Sequence, residues 1–159
     1  DARIRELGEK ISKEYEGKQI HLICVLKGGV FFMCELAKRI TVPVSLDFMQ
    51  VSSYGDATES SGIVRIKKDL DDTMENKEVI IVEDIIDSGR SMKHLLEYLH
   101  AKNPKQVIVA TLFHKPKAAV CQVPIAYKGI ELENDFVVGR GLDYDGLGRN
   151  YPDLYILNA

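Results

Sequence analysis

Residues 79 to 91 read V-I-I-V-E-D-I-I-D-S-G-R-S, and this stretch decides both the fold and the place of the chemistry. Its first four residues form a β-branched run, which is typical of a strand buried on both faces of a parallel sheet. The run ends in two carboxylates, Glu83 and Asp84, and a third carboxylate, Asp87, follows soon after. We therefore predict an α/β fold with acidic side chains at the end of a central strand.

The residues after Asp87 have the composition of an anion-binding loop. Ser88, Gly89 and Ser91 supply hydroxyls and a glycine directly before a helical pattern over residues 92–101. Backbone N–H groups at a helix start, a glycine that permits close approach and short hydroxyls all favour a bound phosphate. The acids cannot bind the same anion directly, so we expect them to face sugar hydroxyls or a Mg²⁺ ion that also touches phosphate.

Length, charge and cysteine usage limit the class of protein. A chain of 159 residues has the length of one ordinary domain. Its net charge of −3 argues against a dedicated nucleic-acid binder. Three cysteines in apolar contexts, without metal-ligand spacing, indicate buried free thiols in a reducing compartment. No membrane-spanning segment or signal peptide is visible, although the chain begins at Asp1 without a Met, so we expect a cytoplasmic protein with no membrane partner.

Hydrophobic periodicity predicts the elements around the central stretch. These are an amphipathic helix over residues 3–15 closed by Gly17, a strand over 19–26, a helix over 30–39, a strand over 44–51, a long flexible hairpin over 53–68 and a strand over 107–113.

Two strand ends carry a lysine. Lys27 precedes Gly28 and Gly29 at a strand-to-helix turn, where a cation and exposed N–H groups can meet an anion. Lys115 follows the strand over 107–113, at the sheet edge where open α/β sheets bind ligands. Each signal is weak alone, because glycines punctuate ordinary turns and a lysine before Pro116 is commonly a solvated strand cap.

The tail carries F-V-V-G from Phe136, then L-D-Y from Leu142, with Arg149 beyond. A last hydrophobic strand would explain F-V-V-G alone, but not the Asp and Arg that follow. The nearby G-R-G is not a dinucleotide fingerprint, because Tyr144 occupies the third glycine position.

In order along the chain, K-G-G, S-S-Y-G, V-E-D-I-I-D-S-G-R-S and F-V-V-G-x-G-L-D-Y resemble the motifs of the type I phosphoribosyltransferases. The last resembles the purine-binding segment of the hypoxanthine-guanine phosphoribosyltransferases. The resemblance implies one domain over residues 1–159: a central parallel sheet flanked by helices, a small hood built from both termini and a flexible loop at about 53–68 that closes over the reacting centre. It also implies transfer of the phosphoribosyl group of 5-phosphoribosyl-1-pyrophosphate (PRPP) to N9 of hypoxanthine or guanine, giving IMP or GMP and pyrophosphate.

The resemblance further implies Mg²⁺ as cofactor, 6-oxopurines as partners, a homodimer or homotetramer, and a Leu26–Lys27 peptide bond that is cis in at least some states. It implies a role for each matching residue. Asp87 is the general base near N7 of the purine. Pyrophosphate is bound by Lys27, Gly28 and Arg149, and the ribose and 5′-phosphate are bound by Glu83, Asp84, Asp87, Ser88, Gly89, Arg90 and Ser91. The base is bound by Lys115, Phe136, Val137 and Asp143, and the metal ligands are Glu83, Asp84 and Asp143. The flexible loop includes Ser53 and Tyr54.

Three positions depart from the family pattern. Arg140 stands where the family often has an aromatic residue, Gly148 replaces the aromatic residue usually found before Arg149, and Ser91 replaces a frequent Thr. Two other classes of protein share part of the pattern. A phosphoribosyltransferase-like regulator that senses nucleotides and binds RNA would show a basic face, and the charge distribution of this sequence offers none. A phospho-acceptor receiver domain would split its acids between two strands, whereas here they follow one strand.

Overall fold

The computed structural model describes residues 1–53 and 64–158. In chain order, the helices and strands are α1 (Ala2–Glu14), β1 (Ile20–Leu26), α2 (Gly29–Ala37), β2 (Val44–Ser53), β3 (Val64–Lys68), β4 (Glu78–Ile86), α3 (Arg90–His100), β5 (Gln106–His114), β6 (Tyr127–Glu131), β7 (Val137–Val138) and β8 (Tyr155–Ile156). A short 3₁₀ turn, Pro116–Ala118, follows β5.

Six strands form the main sheet in the order β3-β2-β1-β4-β5-β6. The pairs β1–β2, β1–β4, β4–β5 and β5–β6 are parallel, whereas β3 runs antiparallel to β2. The predicted central parallel sheet flanked by helices is confirmed, and its antiparallel member comes from the predicted hairpin. Of that hairpin, residues 54–63 lie outside the described residues.

Two hydrophobic cores cover the two faces of the sheet. Leu22 and Ile80 belong to the core that includes the buried side chains of α1 and α2. Ile23 and Ile81, their neighbours along β1 and β4, belong to the core that includes those of α3. Successive side chains of a strand point to opposite faces, so a strand covered on both sides must be apolar at nearly every position. This explains why the central strands read as continuous hydrophobic runs rather than alternating ones.

The parallel arrangement places the turns after β1, β4 and β5 next to one another. Strands β1, β4 and β5 end at Leu26, Ile86 and His114 and are hydrogen-bonded neighbours. Their carboxyl ends therefore lie side by side, and the turns that follow them form the edge at which open α/β sheets bind ligands.

The C-terminal segment forms a separate two-stranded sheet in which Val137 pairs with Ile156. An ion pair of 3.0 Å between Asp1 and Arg140 joins this segment to the start of the chain. The grouping of both terminal segments into one hood stays a prediction. Among the described residues, no helix is both long and apolar enough to cross a membrane.

Candidate active site

The turn after β1 is packed against the acidic end of β4. Gly28 is buried, and a β-carbon on it would overlap the Asp84 carboxylate and lie 3.1 Å from the carbonyl oxygen of Gly141. Gly28 has an ordinary helical φ of −60°, so space and not backbone conformation requires glycine here. A β-carbon on Gly29 would lie 2.9 Å from the carbonyl oxygen of Val82. The Leu26–Lys27 peptide bond is cis, which confirms the prediction for this turn.

Glu83 and Asp84 are consecutive residues of β4, so their side chains leave opposite faces of the strand. Asp84 is buried against Gly28, and its Oδ1 accepts a hydrogen bond of 2.8 Å from the backbone N–H of Ile85. Glu83 faces the loop after β4. Burial, and then the negative charge of Asp84, raises the pKa of Glu83 well above its usual range. The end of β4 therefore disfavours two ionised carboxylates at once.

The loop from Asp87 to Ser91 is folded by its own side chains. Asp87 Oδ1 accepts a hydrogen bond of 2.6 Å from the N–H of Ser88, and Ser88 Oγ accepts one of 3.4 Å from the N–H of Arg90. Gly89 has a φ of 84°, a left-handed conformation that glycine adopts without strain, and it directly precedes α3. The loop and Glu83 line a cavity of about 60 Å³. The first N–H groups of α3 thus open onto a small polar cavity, as an anion site requires.

The end of β5 adds Lys115 beside this loop. The backbone N–H of Lys115 donates a hydrogen bond of 3.0 Å to the carbonyl oxygen of Ile86, which ties the two strand ends together. The preceding residue, His114, was missed by the sequence analysis. Its Nδ1 is buried without a hydrogen-bond partner among the described residues, and burial followed by the charge of Lys128 lowers its pKa. His114 and Asp87 line one cavity of about 160 Å³.

The C-terminal segment reaches the same edge through Arg149. Arg149 Nη1 donates a hydrogen bond of 2.7 Å to the carbonyl oxygen of Gly141, and its Nη2 lies 3.3 Å from Asp143 Oδ1. Asp143 Oδ2 accepts a hydrogen bond of 2.9 Å from the N–H of Gly146. Because Gly141 packs against the backbone of Gly28, this network brings Arg149 and Asp143 to the K-G-G turn.

The aromatic and apolar residues of the tail differ in exposure. Phe136 is 52% exposed and contacts Tyr144 edge to face, with ring centroids 6.0 Å apart. Val137 packs its side chain into the core and pairs with Ile156 of β8. Ser53 ends β2 at the carboxyl edge of the sheet, and Tyr54 lies outside the described residues.

Two of the departures from the family pattern fall at positive φ. Arg140 has a φ of 54° and Gly148 a φ of 89°. A β-carbon on Gly148 would lie 3.4 Å from the ring of Tyr151 and 2.5 Å from Val138. An aromatic side chain has no room at position 148 in this arrangement.

A family model described as "Phosphoribosyl transferase domain" matches residues 1–145. The chain is 49% identical over 159 residues to the hypoxanthine-guanine phosphoribosyltransferase of Mycobacterium tuberculosis, covering 96% of this chain and 77% of that protein. It is 45% identical over 155 residues to the enzyme of the same name from Streptococcus thermophilus, covering 98% of this chain and 86% of the relative.

Solved structures of hypoxanthine phosphoribosyltransferases have the same fold as this chain. A crystal structure of a hypoxanthine phosphoribosyltransferase from Staphylococcus aureus superposes with a TM-score of 0.96 at 41% identity, covering 99% of this chain and 85% of the other. The Trypanosoma cruzi hypoxanthine phosphoribosyltransferase, solved in complex with the product IMP, gives a TM-score of 0.92 at 32% identity and covers 99% and 88%. The fold is thus the type I phosphoribosyltransferase fold, as the motifs predicted. The chain belongs to the phosphoribosyl transferase family, and within it to the hypoxanthine-guanine phosphoribosyltransferases.

Proposed function

We propose that the chain transfers the phosphoribosyl group of PRPP to N9 of hypoxanthine or guanine, releasing pyrophosphate and forming IMP or GMP. The observation that carries this proposal is the contact of the K-G-G turn with Asp84 of β4 on one side and with Gly141 of the tail on the other. The turn proposed to bind pyrophosphate, the acids proposed to bind ribose and the segment proposed to bind the base then share one edge, which supports binding of PRPP and a purine together.

In this reaction the bond from the ribose anomeric carbon to pyrophosphate breaks while N9 of the base forms its bond to the same carbon. Negative charge leaves with pyrophosphate, and the sugar becomes cation-like in the transition state. Lys27 is exposed at the end of β1, and Arg149 lies beside the same turn, so both cations are proposed to bind the departing pyrophosphate. The carboxylates of Glu83 and Asp84 are proposed to bind the ribose hydroxyls.

Mg²⁺ is the proposed cofactor. The candidate ligands, Glu83, Asp84 and Asp143, offer only oxygen atoms, which this ion prefers, and Mg²⁺ commonly binds through one or two carboxylates together with substrate phosphates. Burial, and then the charge of Asp84, raises the pKa of Glu83 and so disfavours its ionised form, which a bound cation would favour; these residues therefore fit the ion. When bound, Mg²⁺ neutralises part of the pyrophosphate charge as a Lewis acid.

Asp87 is the proposed general base. It is exposed at the loop, and the hydrogen bond from the N–H of Ser88 fixes one of its oxygens. The other oxygen is proposed to accept the proton that N7 of the purine loses as N9 attacks. The loop N–H groups and the hydroxyls of Ser88 and Ser91 are proposed to bind the 5′-phosphate.

Base recognition is assigned to Lys115 and Phe136. An ammonium group has donors and no acceptor, so Lys115 suits the exocyclic oxygen of a 6-oxopurine. The exposed ring of Phe136 offers a face on which a purine can stack. We also propose a cytoplasmic homodimer or homotetramer. The three free cysteines support a reducing compartment, although only Cys24 is buried as the sequence predicted, and Cys34 is exposed. The exposed apolar residues of the tail, such as Leu147, which is 76% exposed, support association between copies of the chain.

The deciding experiment is pyrophosphate release from PRPP, measured with hypoxanthine, guanine, xanthine and adenine in turn, with Mg²⁺ and after its removal by chelation. We expect release with hypoxanthine and guanine that requires Mg²⁺. Absence of release with every base would reject the proposed reaction, and release unaffected by chelation would reject the cofactor.

A further inference from the structure

A second cluster of side chains consists of His21, Asp47 and Asp72. It lies away from the carboxyl ends of the strands, where the candidate active site is. One ligand atom from each side chain lies within 4.8 Å of the other two. His21 is the second residue of β1, five residues before Leu26, which ends the strand at the carboxyl edge. Five residues of an extended strand span roughly 17 Å, so the cluster is separate from the proposed substrate site.

His21 carries an unused ligand atom. The side chain is 2% exposed, and its Nδ1 lies 2.7 Å from Ser45 Oγ on the paired residue of β2. Its Nε2 is buried without a hydrogen-bond partner among the described residues and lies 3.7 Å from Asp47 Oδ2, too far for a hydrogen bond. A buried polar atom without a partner requires an explanation, because leaving it unpaired is unfavourable.

The contact with Ser45 suits the form of imidazole that binds metals. The Ser45 hydroxyl can accept a hydrogen bond from Nδ1–H, and in that tautomer the lone pair of the neutral ring resides on Nε2. Burial, and then the charge of Lys77, lowers the pKa of His21, which favours the neutral ring. A histidine whose other nitrogen is fixed by a neighbouring oxygen is the usual arrangement of a metal ligand.

Asp47 is held ionised beside that lone pair. Its carboxylate accepts hydrogen bonds from the N–H groups of Phe48 (2.8 Å), Asp71 (3.2 Å) and Asp72 (3.0 Å). Burial raises the pKa of Asp47, but these hydrogen bonds together outweigh it and bring the pKa below its usual value. The same hydrogen bonds wrap the chain around Asp47 and carry the exposed side chain of Asp72 to the cluster.

We propose that His21 Nε2, Asp47 and Asp72 bind one divalent transition-metal ion of the Zn²⁺ type. Bonds of about 2.1 Å at a tetrahedral ion separate neighbouring ligand atoms by about 3.4 Å, close to the 3.7 Å between His21 and Asp47. The imidazole ligand favours Zn²⁺ and its neighbours over Mg²⁺, so the site selects a different metal from the all-oxygen ligand set at the carboxyl edge. The negative charge of the two carboxylates exceeds the positive charge of the nearby Lys77 ammonium, so the net charge favours a cation.

The ion would add a further link between two parts of the chain that hydrogen bonds to Asp47 already join. Asp47 belongs to β2, whereas Asp72 belongs to the segment that returns from β3 to β4. A metal bound only in the folded state stabilises that state by mass action. A bound ion would therefore stabilise the position of the return segment. This stabilising role is independent of the proposed reaction.

The test measures Zn²⁺ binding to the untagged chain by calorimetry, with excess Mg²⁺ present to occupy the carboxyl-edge carboxylates. The variant is Asp72→Asn, which removes one exposed ligand and leaves the core intact. The matched control is Asp71→Asn, a neighbouring exposed aspartate whose carboxylate pairs with Lys68 instead. Both variants change the net charge by the same amount, so a general electrostatic effect would move them equally.

We expect one Zn²⁺ per chain in the wild-type protein and in Asp71→Asn, and binding at least about 10-fold weaker in Asp72→Asn. The unfolding temperature should rise with Zn²⁺ in the first two proteins only. Absence of Zn²⁺ binding by the wild type, equal binding by all three proteins, or equal weakening in both variants would each overturn the proposal.

Discussion

Gly28 and Asp84 pack so closely that no β-carbon fits between the backbone of the first and the carboxylate of the second. The contact joins the turn after β1 to the acidic end of β4, two segments separated by more than fifty residues of chain. The position of the proposed pyrophosphate turn is therefore set by a carboxylate proposed to bind ribose.

Gly28→Ala should displace Asp84 and weaken PRPP binding. Overpacking of this kind destabilises a fold by about 1–3 kcal/mol. We also expect the KM for PRPP to rise at least about 10-fold, because the displaced groups would no longer hold PRPP in its binding geometry. Steady-state kinetics and thermal unfolding measure the two effects. The control is Gly17→Ala, at a φ of 80° with open space around it, which should lose stability without changing that KM. An unchanged KM in Gly28→Ala would contradict the role of this contact.

Asp87→Asn should lower kcat by roughly 10²–10⁴, the usual contribution of a general base. The amide oxygen of Asn can still accept the hydrogen bond from Ser88, so the loop keeps its fold and PRPP affinity should change little. Single-turnover kinetics together with PRPP titration separate the two quantities. Asp135→Asn, at an exposed position before β7, is the control. Turnover equal to wild type would remove Asp87 from the role of base.

Lys115 should make adenine a very poor substrate. A site that donates to a 6-oxo group leaves a 6-amino group facing a donor, and such mismatches cost on the order of 10⁴ in selectivity. Lys115→Gln should narrow the gap between hypoxanthine and adenine, mainly through lost activity on hypoxanthine, because an amide presents either an oxygen or a nitrogen. Comparison of kcat/KM for the two bases measures the gap. Lys117→Gln, at an exposed lysine paired with Glu133, should leave it unchanged. Wild-type activity on adenine equal to that on hypoxanthine would exclude this role.

Glu83→Gln should stabilise the ligand-free protein while impairing its activity. Burial and the charge of Asp84 raise the pKa of Glu83, so the folded state retains this proton to a higher pH than the unfolded state does. Stability is therefore lost as pH rises from the usual glutamate range through the raised value, and Gln avoids that loss. The gain in stability is expected at neutral pH and should vanish at pH below about 4, where the glutamate is protonated in both states.

Chemical denaturation at several pH values tests that expectation. Glu97→Gln, at an exposed position of α3, is the control and should show no such gain. A Glu83→Gln variant less stable than wild type at neutral pH would mean that the carboxylate stabilises the ligand-free fold.

The features predicted correctly from sequence are those encoded by neighbouring residues. The β-branched run before Glu83 predicted a buried strand, and the small residues after Asp87 predicted a loop that opens α3. Both signals are local, since strand propensity and turn chemistry act over a few residues. The predicted strand ended at residue 82, whereas β4 continues to Ile86, because pairing of Ile85 and Ile86 with β5 extends it past the acids.

What the sequence could not provide were contacts that depend on sheet register. The pairing of His21 with Ser45, and of Asp47 with the N–H groups of Asp71 and Asp72, follows from how β1, β2 and the return segment align. His114 carried one available signal, its position directly before Lys115 at a strand end, but its burial depends on how β5 packs. Arg149 was assigned to pyrophosphate by motif alone, and its hydrogen bond to Gly141 required the tail to fold back.

The contact of Gly141 with Gly28 also divides the chain into two unequal contributions to the site. The main sheet ends at Glu131 with β6, so the acids, the anion loop and the K-G-G turn all belong to the segment before the tail. The tail, described to residue 158, adds no strand to the main sheet and packs on the K-G-G turn instead. Loss of the tail would therefore uncover this turn while every strand of the main sheet stayed in the chain.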